Sequence, residues 1–233
     1  MGAAVQSHWF SVGPIVPWAR AGVGAVATQA SAELSYGPRA LELMAQGVPA
    51  PDALARLLAE DGLRESRQVA VVDAAGRVAA HTGDVCIPDA GDCQGPAVSC
   101  QANIMANERV WPAMLDAFQR QAGSLTARLL AALDAAEAAG GDLRGRQSAA
   151  IVVVPASGEP WDTVVSLRVE DHPDPLRELA RLARLNDAYV KPAPATSGWP
   201  RASMKRPPRC ISGPARWPPS PTSCASGRGS ARP

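Results

Sequence analysis

Two stretches of this chain read as strands that turn back on themselves. RQVAVVD (67–73) and RVAAHTG (77–83) flank Ala74-Ala75-Gly76, and SAAIVVVP (148–155) and TVVSLRV (163–169) flank Ser157-Gly158-Glu159-Pro160. Each is an apolar run interrupted by turn residues and resumed at once, which is the pattern of an antiparallel hairpin. Neighbouring parallel strands need a crossover of roughly a dozen residues or more. A chain whose most convincing strands are hairpins is therefore not a doubly wound parallel sheet.

The rest of the pattern fits that constraint. Residues 3–12 (AAVQSHWFSV) read as one strand, with Val5, Ser7, Trp9 and Ser11 on one face and Gln6, His8 and Phe10 on the other. After Gly13-Pro14, the small residues Val23, Ala25 and Ala27 suit a tightly stacked sheet. Tyr36-Gly37-Pro38 opens a helix with Leu41, Met44 and Ala45 apolar, stopped by Gly47. A second helix from Pro51-Asp52 carries Leu54, Leu57 and Leu58. Residues 84–102 read as a loop with three cysteines that ends in a short strand near Val98. Helices are expected over 107–122 and 124–139, the second with Ser124 as its cap and Gly140 past its end. A last helix from Pro175 carries Leu176, Leu179, Leu182 and Leu185. Strands, helices, strands, helices, strands and a helix in that order give an α+β fold with segregated layers.

Composition divides the chain in two. Residues 1–190 carry 15 arginines against 22 acidic groups, a net of −7, while residues 191–233 carry 8 basic groups and no acid. That tail holds 10 of the 22 prolines and no Leu, Val or Phe, so it cannot bury a core. The expected division is one folded domain over 1–190 and a Pro/Arg-rich disordered tail over 191–233. No run approaches the ~20 apolar residues of a membrane span. Gln6, Ser7 and His8 break the N-terminal apolar stretch, so no signal peptide is read and a cytoplasmic protein is expected. The five cysteines are then read as reduced. The body has no basic patch for nucleic acid. A small-molecule ligand is expected, with no nucleic acid and no membrane as partner, and a homo-oligomer is allowed.

Several residues could carry chemistry. Cys86, Cys93 and Cys100 recur every seven residues behind His81, and three thiolates with an imidazole can hold zinc. The CxxC pairs of such sites are missing, so free thiols, no metal and no cofactor are the expectation. Asp142, in the loop 141–148 that feeds the most hydrophobic strand, is placed to orient Arg144 or Arg146 in a bidentate pair. Either arginine could then receive a carboxylate; the other reading is a structural salt bridge closing a helix–strand corner. Asn103, Gln29 and Thr28 end strands, where they could donate to an oxyanion or simply cap backbone. Trp9, Trp18 and Arg20 could line a pocket, although aromatics near first strands are commonly core.

The strings AVQSHWFSVG, VPWARAGVGAVATQA, YGPRALELMAQG, RQVAVVDAAGRVAAHTG, NIMANERVW and GDLRGRQSAA, in this order, resemble the domain of unknown function 1028 family, whose members look like N-terminal-nucleophile (Ntn) hydrolases. The resemblance covers about residues 3–189. It implies an αββα sandwich, two stacked antiparallel sheets between helical layers, and hydrolysis of a small-molecule amide by a leading Thr, Ser or Cys whose own amine is the base. It also implies a strand and turn of about fifteen residues ahead of AVQSHWF. This chain opens Met1-Gly2-Ala3, so that first strand and the nucleophile are expected to be missing, and the protein to be inactive as written. An in-frame Thr, Ser or Cys after an upstream initiator would supply it. His81, Thr82, Asn103, Asp142, Arg144, Gln147 and Ser148 carry over as a pocket, with Asn103 as oxyanion donor and Asp142 and Arg144 as positioning groups. The alternative function is a non-catalytic binding or assembly protein, for example of the fimbrial or pilus assembly kind, on the same fold.

Family members often continue into helical repeats, which the tail cannot form. Codons for Thr222-Ser223-Cys224-Ala225-Ser226-Gly227 are compatible, one frame over, with Asp-Glu-Leu-Arg-Phe-Trp. A frameshift soon after Tyr189 is therefore expected. The rival is a true basic tail that binds anionic surfaces.

Overall fold

The structure is a computed structural model that describes residues 1–190; the readings made for 191–233 lie outside the described residues. The alternating valines of the 67–73 segment show how the layers arise. Strands β1 (Gly2–Ser7), β2 (Pro17–Arg20), β3 (Gly24–Ala30), β4 (Arg67–Asp73) and β5 (Val78–Thr82) precede β6 (Gly91–Gly95), β7 (Val98–Ala102), β8 (Ser148–Val153) and β9 (Val165–Val169). In the sheet β2-β3-β4-β5, Val26, Val69 and Val71 point to one face. There they meet Leu41 and Met44 of α1 (Tyr36–Ala45) and Leu54 and Leu57 of α2 (Ala50–Glu60). The opposite face carries Ala25, Ala27 and Ala70, as the cross-strand partners Ala25 with Val72 and Ala27 with Ala70 require. Gly37 permits the close approach of α1, since a Cβ there would lie 2.4 Å from the Trp18 indole.

A second group of strands faces the alanines. Strands β1, β8 and β9 form one sheet in that order, and β6 and β7 form a hairpin of their own. Strand β1 packs over β3, and β7 packs over β4. Helix α3 (Val110–Arg120) covers β6 and β7, α4 (Leu125–Ala138) covers β1 and β8, and α5 (Pro175–Val190) covers β8 and β9. The core beneath α4 and α5 joins Ile151, Val165, Leu133, Leu176 and Leu179. Fully buried side chains such as Ile151 and Leu179 each stabilise the fold by about 1.5–3 kcal/mol relative to exposure. All strand pairings among the described residues are antiparallel. The architecture of the described residues is thus α+β, with five α-helices around antiparallel sheets. No helix of the described residues is long and apolar enough to cross a membrane.

Element boundaries differ from the sequence reading in three places. The first strand stops at Ser7 rather than reaching residue 12, because the following backbone is held by side chains and by a distant strand end. The Ser148 hydroxyl accepts from Val12 N at 3.1 Å and donates to Trp9 O at 2.5 Å, and Ser11 N donates to Glu170 O at 2.9 Å. Strand β2 comes from PWAR, four half-buried residues whose pairing with β3 no periodicity announces. Strand β6 comes from GDCQG, a polar run that becomes a strand by pairing with β7 under α3.

Candidate functional site

Strand β1 packs over β3 and β7 over β4, the two are not paired with each other, and a trench lined by both separates them. Two adjoining cavities, about 710 and 360 Å³, make it up, and both are lined by Ala4, Gln29, Gln101, Met114 and Leu133. Consecutive residues line the trench on each side, Met1 to Ser7 along β1 and Pro96 to Met105 along and beyond β7. Such unbroken runs are what a strand edge, rather than a strand face, presents. Ala25, Ala27 and Ala70 form the floor, and Met114, Phe118, Leu125 and Leu129 of α3 and α4 contribute the roof.

The larger cavity ends at the loop 140–145. Gly140 and Gly141, with φ of +129° and +64°, turn the chain away from α4. The loop then touches both trench walls. Leu143 N donates to Ile104 O and Ala106 N to Gly141 O, both at 3.0 Å, while His8 N reaches Asp142 Oδ2 at 3.4 Å. Between those walls Asp142 and Arg144 form a fork: Nε to Oδ1 at 3.0 Å and Nη2 to Oδ2 at 2.6 Å. Arg144 N also donates to Oδ1 at 2.9 Å. Burial opposes ionisation of Asp142, but its Arg144 hydrogen bonds outweigh burial and hold the carboxyl below its usual range. Those hydrogen bonds likewise raise the Arg144 guanidinium. The fork leaves Arg144 Nη2 3.5 Å from Ser7 Oγ, at the cavity wall. Ile104 sits at φ 60°, a conformation that burdens a β-branched residue, where β7 meets this loop.

Of the residues singled out from sequence, the structure brings Asn103, Asp142 and Arg144 into the cavity wall, together with Gln29. The other four of the expected pocket line neither cavity. His81 Nε2 lies 2.9 Å from Arg64 O, on the far edge strand of its sheet. Thr82 donates to Asp92 at 2.7 Å, Gln147 donates to Asp171 at 3.1 Å, and Ser148, the fully buried first residue of β8, spends its hydroxyl on the turn that follows β1. One N–H of Asn103 is committed to Gln68 Oε1 at 3.1 Å. Arg146 joins Glu137 at 3.5 Å rather than Asp142. Thr28 donates to Glu33 O at 3.3 Å and Trp18 to Ile15 O at 3.0 Å, both as structural contacts, whereas Trp9 stands exposed on the cavity wall. Arg20 pairs with Glu42 at 3.4 Å.

Cys93 and Cys100 are cross-strand partners in the β6–β7 hairpin, and all three described cysteines are free thiols. Cys86 Sγ donates to Arg67 O at 3.3 Å and Cys93 Sγ to Trp111 O at 3.1 Å. Burial pushes all three thiols up, Cys100 to about 12, which makes them poor nucleophiles at neutral pH. No group of three or more His, Cys, Asp or Glu among the described residues is arranged to hold a metal ion.

Sequence reading missed Gln68 and Gln101. Gln68, fully buried, has its amide nitrogen within 3.1 Å of Thr82 Oγ1, Gly91 O and Ala102 O, and its oxygen accepts from Gln29 and Asn103. A glutamine inside an otherwise apolar strand run was the available signal. Gln101 donates to Ala27 O at 3.0 Å, which fixes its orientation and leaves its Oε1 buried without a partner.

Comparison with known proteins places this geometry. Residues 1–179 match the model of a family of unknown function, DUF1028. The chain belongs to the DUF1028 family. A crystal structure of a DUF1028 protein from Silicibacter pomeroyi is similar to it, with 31% identity, a TM-score of 0.72 and 79% of each chain covered. No curated protein matches the chain.

Proposed function

We propose that this DUF1028 chain carries the substrate-binding end of an Ntn-type amidohydrolase acting on a small-molecule amide. The observation that carries the reading is the Asp142–Arg144 fork, its carboxylate buried at the end of a cavity of about 710 Å³ and its guanidinium partly open to solvent. A volume of that size suits a small molecule. Its walls supply the rest. Val12, Ile15, Val16, Val110 and Met114 are apolar, while Gln29, Asn103 and Arg144 offer amide and guanidinium donors. Developing negative charge on an amide oxygen is stabilised by such fixed donors. The packing order of helices, sheet, sheets and helices also supports an αββα reading.

The trench bears on the nucleophile. Strands β1 and β7 both run toward the Asp142 end, so a strand antiparallel to both begins there. Its leading amine and side chain would lie beside an ionised carboxylate and a fixed guanidinium. Ser7 does not take that role: its nitrogen is a peptide nitrogen, not a free amine that could serve as base.

The test expresses the chain together with the codons upstream of Met1 in its gene and measures hydrolysis of a panel of small amides. The expected result is turnover of at least one amide that falls about a hundredfold in Asp142→Asn, a loss comparable to that of an oxyanion-stabilising group. Turnover of none, or turnover indifferent to Asp142→Asn, overturns the proposal. A second reading, non-catalytic binding, is favoured by one observation. Trp9, Leu34, Val85 and Ile87 line the cavity yet are 52–70% exposed, more apolar surface than a small polar amide uses.

A further inference from the structure

The β6–β7 hairpin holds the thiols of Cys93 and Cys100 on directly opposed residues, and we infer that the two form a reversible disulfide whose closure releases the start of α3 from β6. Such a switch does not depend on the cavity being catalytic.

Register and face put both thiols on one side of the hairpin. Antiparallel partners stand about 4.5–5.5 Å apart at Cα, inside the roughly 4.4–6.8 Å that a disulfide spans. Directly opposed side chains also share a face. Here that face lies under α3 and α4: Cys100 is buried with Val98, Phe118 and Ala132, and Cys93 packs against the same cluster. Burial raises the Cys100 thiol most, and Cys93 adds to the rise as a near neighbour that competes for negative charge. A disulfide holds its Cβ atoms about 3.5–4.5 Å apart, whereas opposed strand residues hold them about 4.5–5.5 Å apart. The strands must therefore draw together where the bond forms. A bond that works against its hairpin is the more readily reduced, which suits a switch rather than a permanent staple.

In the reduced hairpin Cys93 has another task. Its Sγ donates to Trp111 O at 3.1 Å, in the first turn of α3. The Trp111 indole lies over Gly91 of β6, where a Cβ would come within 2.5 Å of the ring. Strand β6 thus grips α3 twice at one residue. Oxidation removes the Cys93 thiol proton and turns its sulfur to Cys100, so one grip is lost and the strand beneath the indole shifts. Met114 and Phe118, further along α3, line the smaller cavity, so the trench roof responds.

The oxidant is a small disulfide, RSSR. The Cys93 thiolate attacks one of its sulfurs, breaking that S–S bond, expelling one RS⁻ and leaving a mixed disulfide on Cys93. The Cys100 thiolate then attacks the Cys93 sulfur, forming the bond between the two cysteines and expelling the second RS⁻. The two thiol protons end on two RSH, and the two electrons lost by the cysteines reduce RSSR. Cys93 leads because it is only partly buried, whereas Cys100 is 4% exposed.

The test incubates the chain with oxidised glutathione at about pH 8.5, where thiolates are more abundant, then cleaves it before its aspartates. The peptide 92–115 carries Cys93 and Cys100 and no other cysteine. The expected result is the loss of two hydrogens from that peptide, with no uptake of iodoacetamide until dithiothreitol restores both thiols. Cys86→Ser should behave as the wild type, since Cys86 donates to Arg67 O away from the hairpin. The Trp111 indole N–H resonance should move on oxidation and return on reduction. In Cys93→Ser and Cys93→Ala, which leave the buried Cys100 in place, neither change should occur. No loss of hydrogens, a mixed disulfide that accumulates on Cys93, a bond that forms only in urea, or a link between two chains overturns the pairing. A disulfide that leaves the Trp111 resonance unmoved overturns the release of α3.

Discussion

Arg67→Met is expected to destabilise the fold by about 3–5 kcal/mol, the cost of leaving a buried ion pair without one partner. Arg67 is 7% exposed, and its Nε donates to Asp61 Oδ2 at 2.8 Å. Its Nη1 donates to Ser31 O at 2.7 Å, and Glu33 lies 3.8 Å from Nη2. The guanidinium thus ties the start of β4 to the end of β3 and to the segment after α2. Asp61 also accepts the Tyr36 hydroxyl at 3.0 Å, which a neutral methionine would leave on an unbalanced carboxylate. The hydrogen bond from Arg67 holds the Asp61 carboxyl down to about 2, from an ordinary value of 3.8. A carboxyl depressed on folding contributes stability that is present above about pH 4 and is lost as pH falls toward 2. Urea unfolding at pH 7, 4 and 2 checks both points. The wild type should lose stability steeply from pH 4 to 2, and Arg67→Met should start lower and fall less. Equal slopes in the two proteins would show that Asp61 does not depend on Arg67.

Gln68→Leu is expected to cost about 4 kcal/mol, the sum of a few buried groups left unsatisfied at roughly 1–3 kcal/mol each. Gln68 joins β4 to β5, to β6 through Gly91 O, to β7 through Ala102 O, and to the cavity residues Gln29 and Asn103. Leucine matches its bulk but offers no polar atom, so the carbonyls of Gly91 and Ala102 and the amides of Gln29 and Asn103 lose their partner together. Chemical denaturation gives the magnitude, and the Asn103 side-chain amide resonances report whether the cavity end has loosened. A loss below 1 kcal/mol would mean that the hub is redundant.

Both hairpins were legible because their apolar runs are periodic and their turns are explicit. The helices beginning at Tyr36 and Pro175 were equally clear. The β6–β7 hairpin was not, since GDCQG carries no alternation and owes its strand form to β7 and α3. The site was partly legible. Asp142 and Arg144 pair as their spacing suggested, because a two-residue loop separation lets one carboxylate receive both the backbone and the guanidinium of the other. His81, Thr82, Gln147 and Ser148 are grouped with them by the family resemblance, but His81 and Thr82 lie on β5 of one sheet and Ser148 opens β8 of another. Ser148 was consumed in holding the turn after β1, a role that depends on residues about 140 positions away and leaves no local mark. The trench was invisible to sequence for a similar reason. Nothing in GAAVQS or VSCQA says that each strand will lack a neighbour on one side.

Small amides are proposed to bind at the Asp142–Arg144 end of the trench. The most direct measurement is a titration of the chain with small primary amides, followed through the Arg144 Nε–H and the side-chain amides of Asn103 and Gln101 by nuclear magnetic resonance. Saturable shifts at Arg144 and Asn103, with Thr82 and His81 unmoved, are the expected result. Shifts centred on His81 and Thr82, or none at Arg144 at any amide concentration, would contradict it.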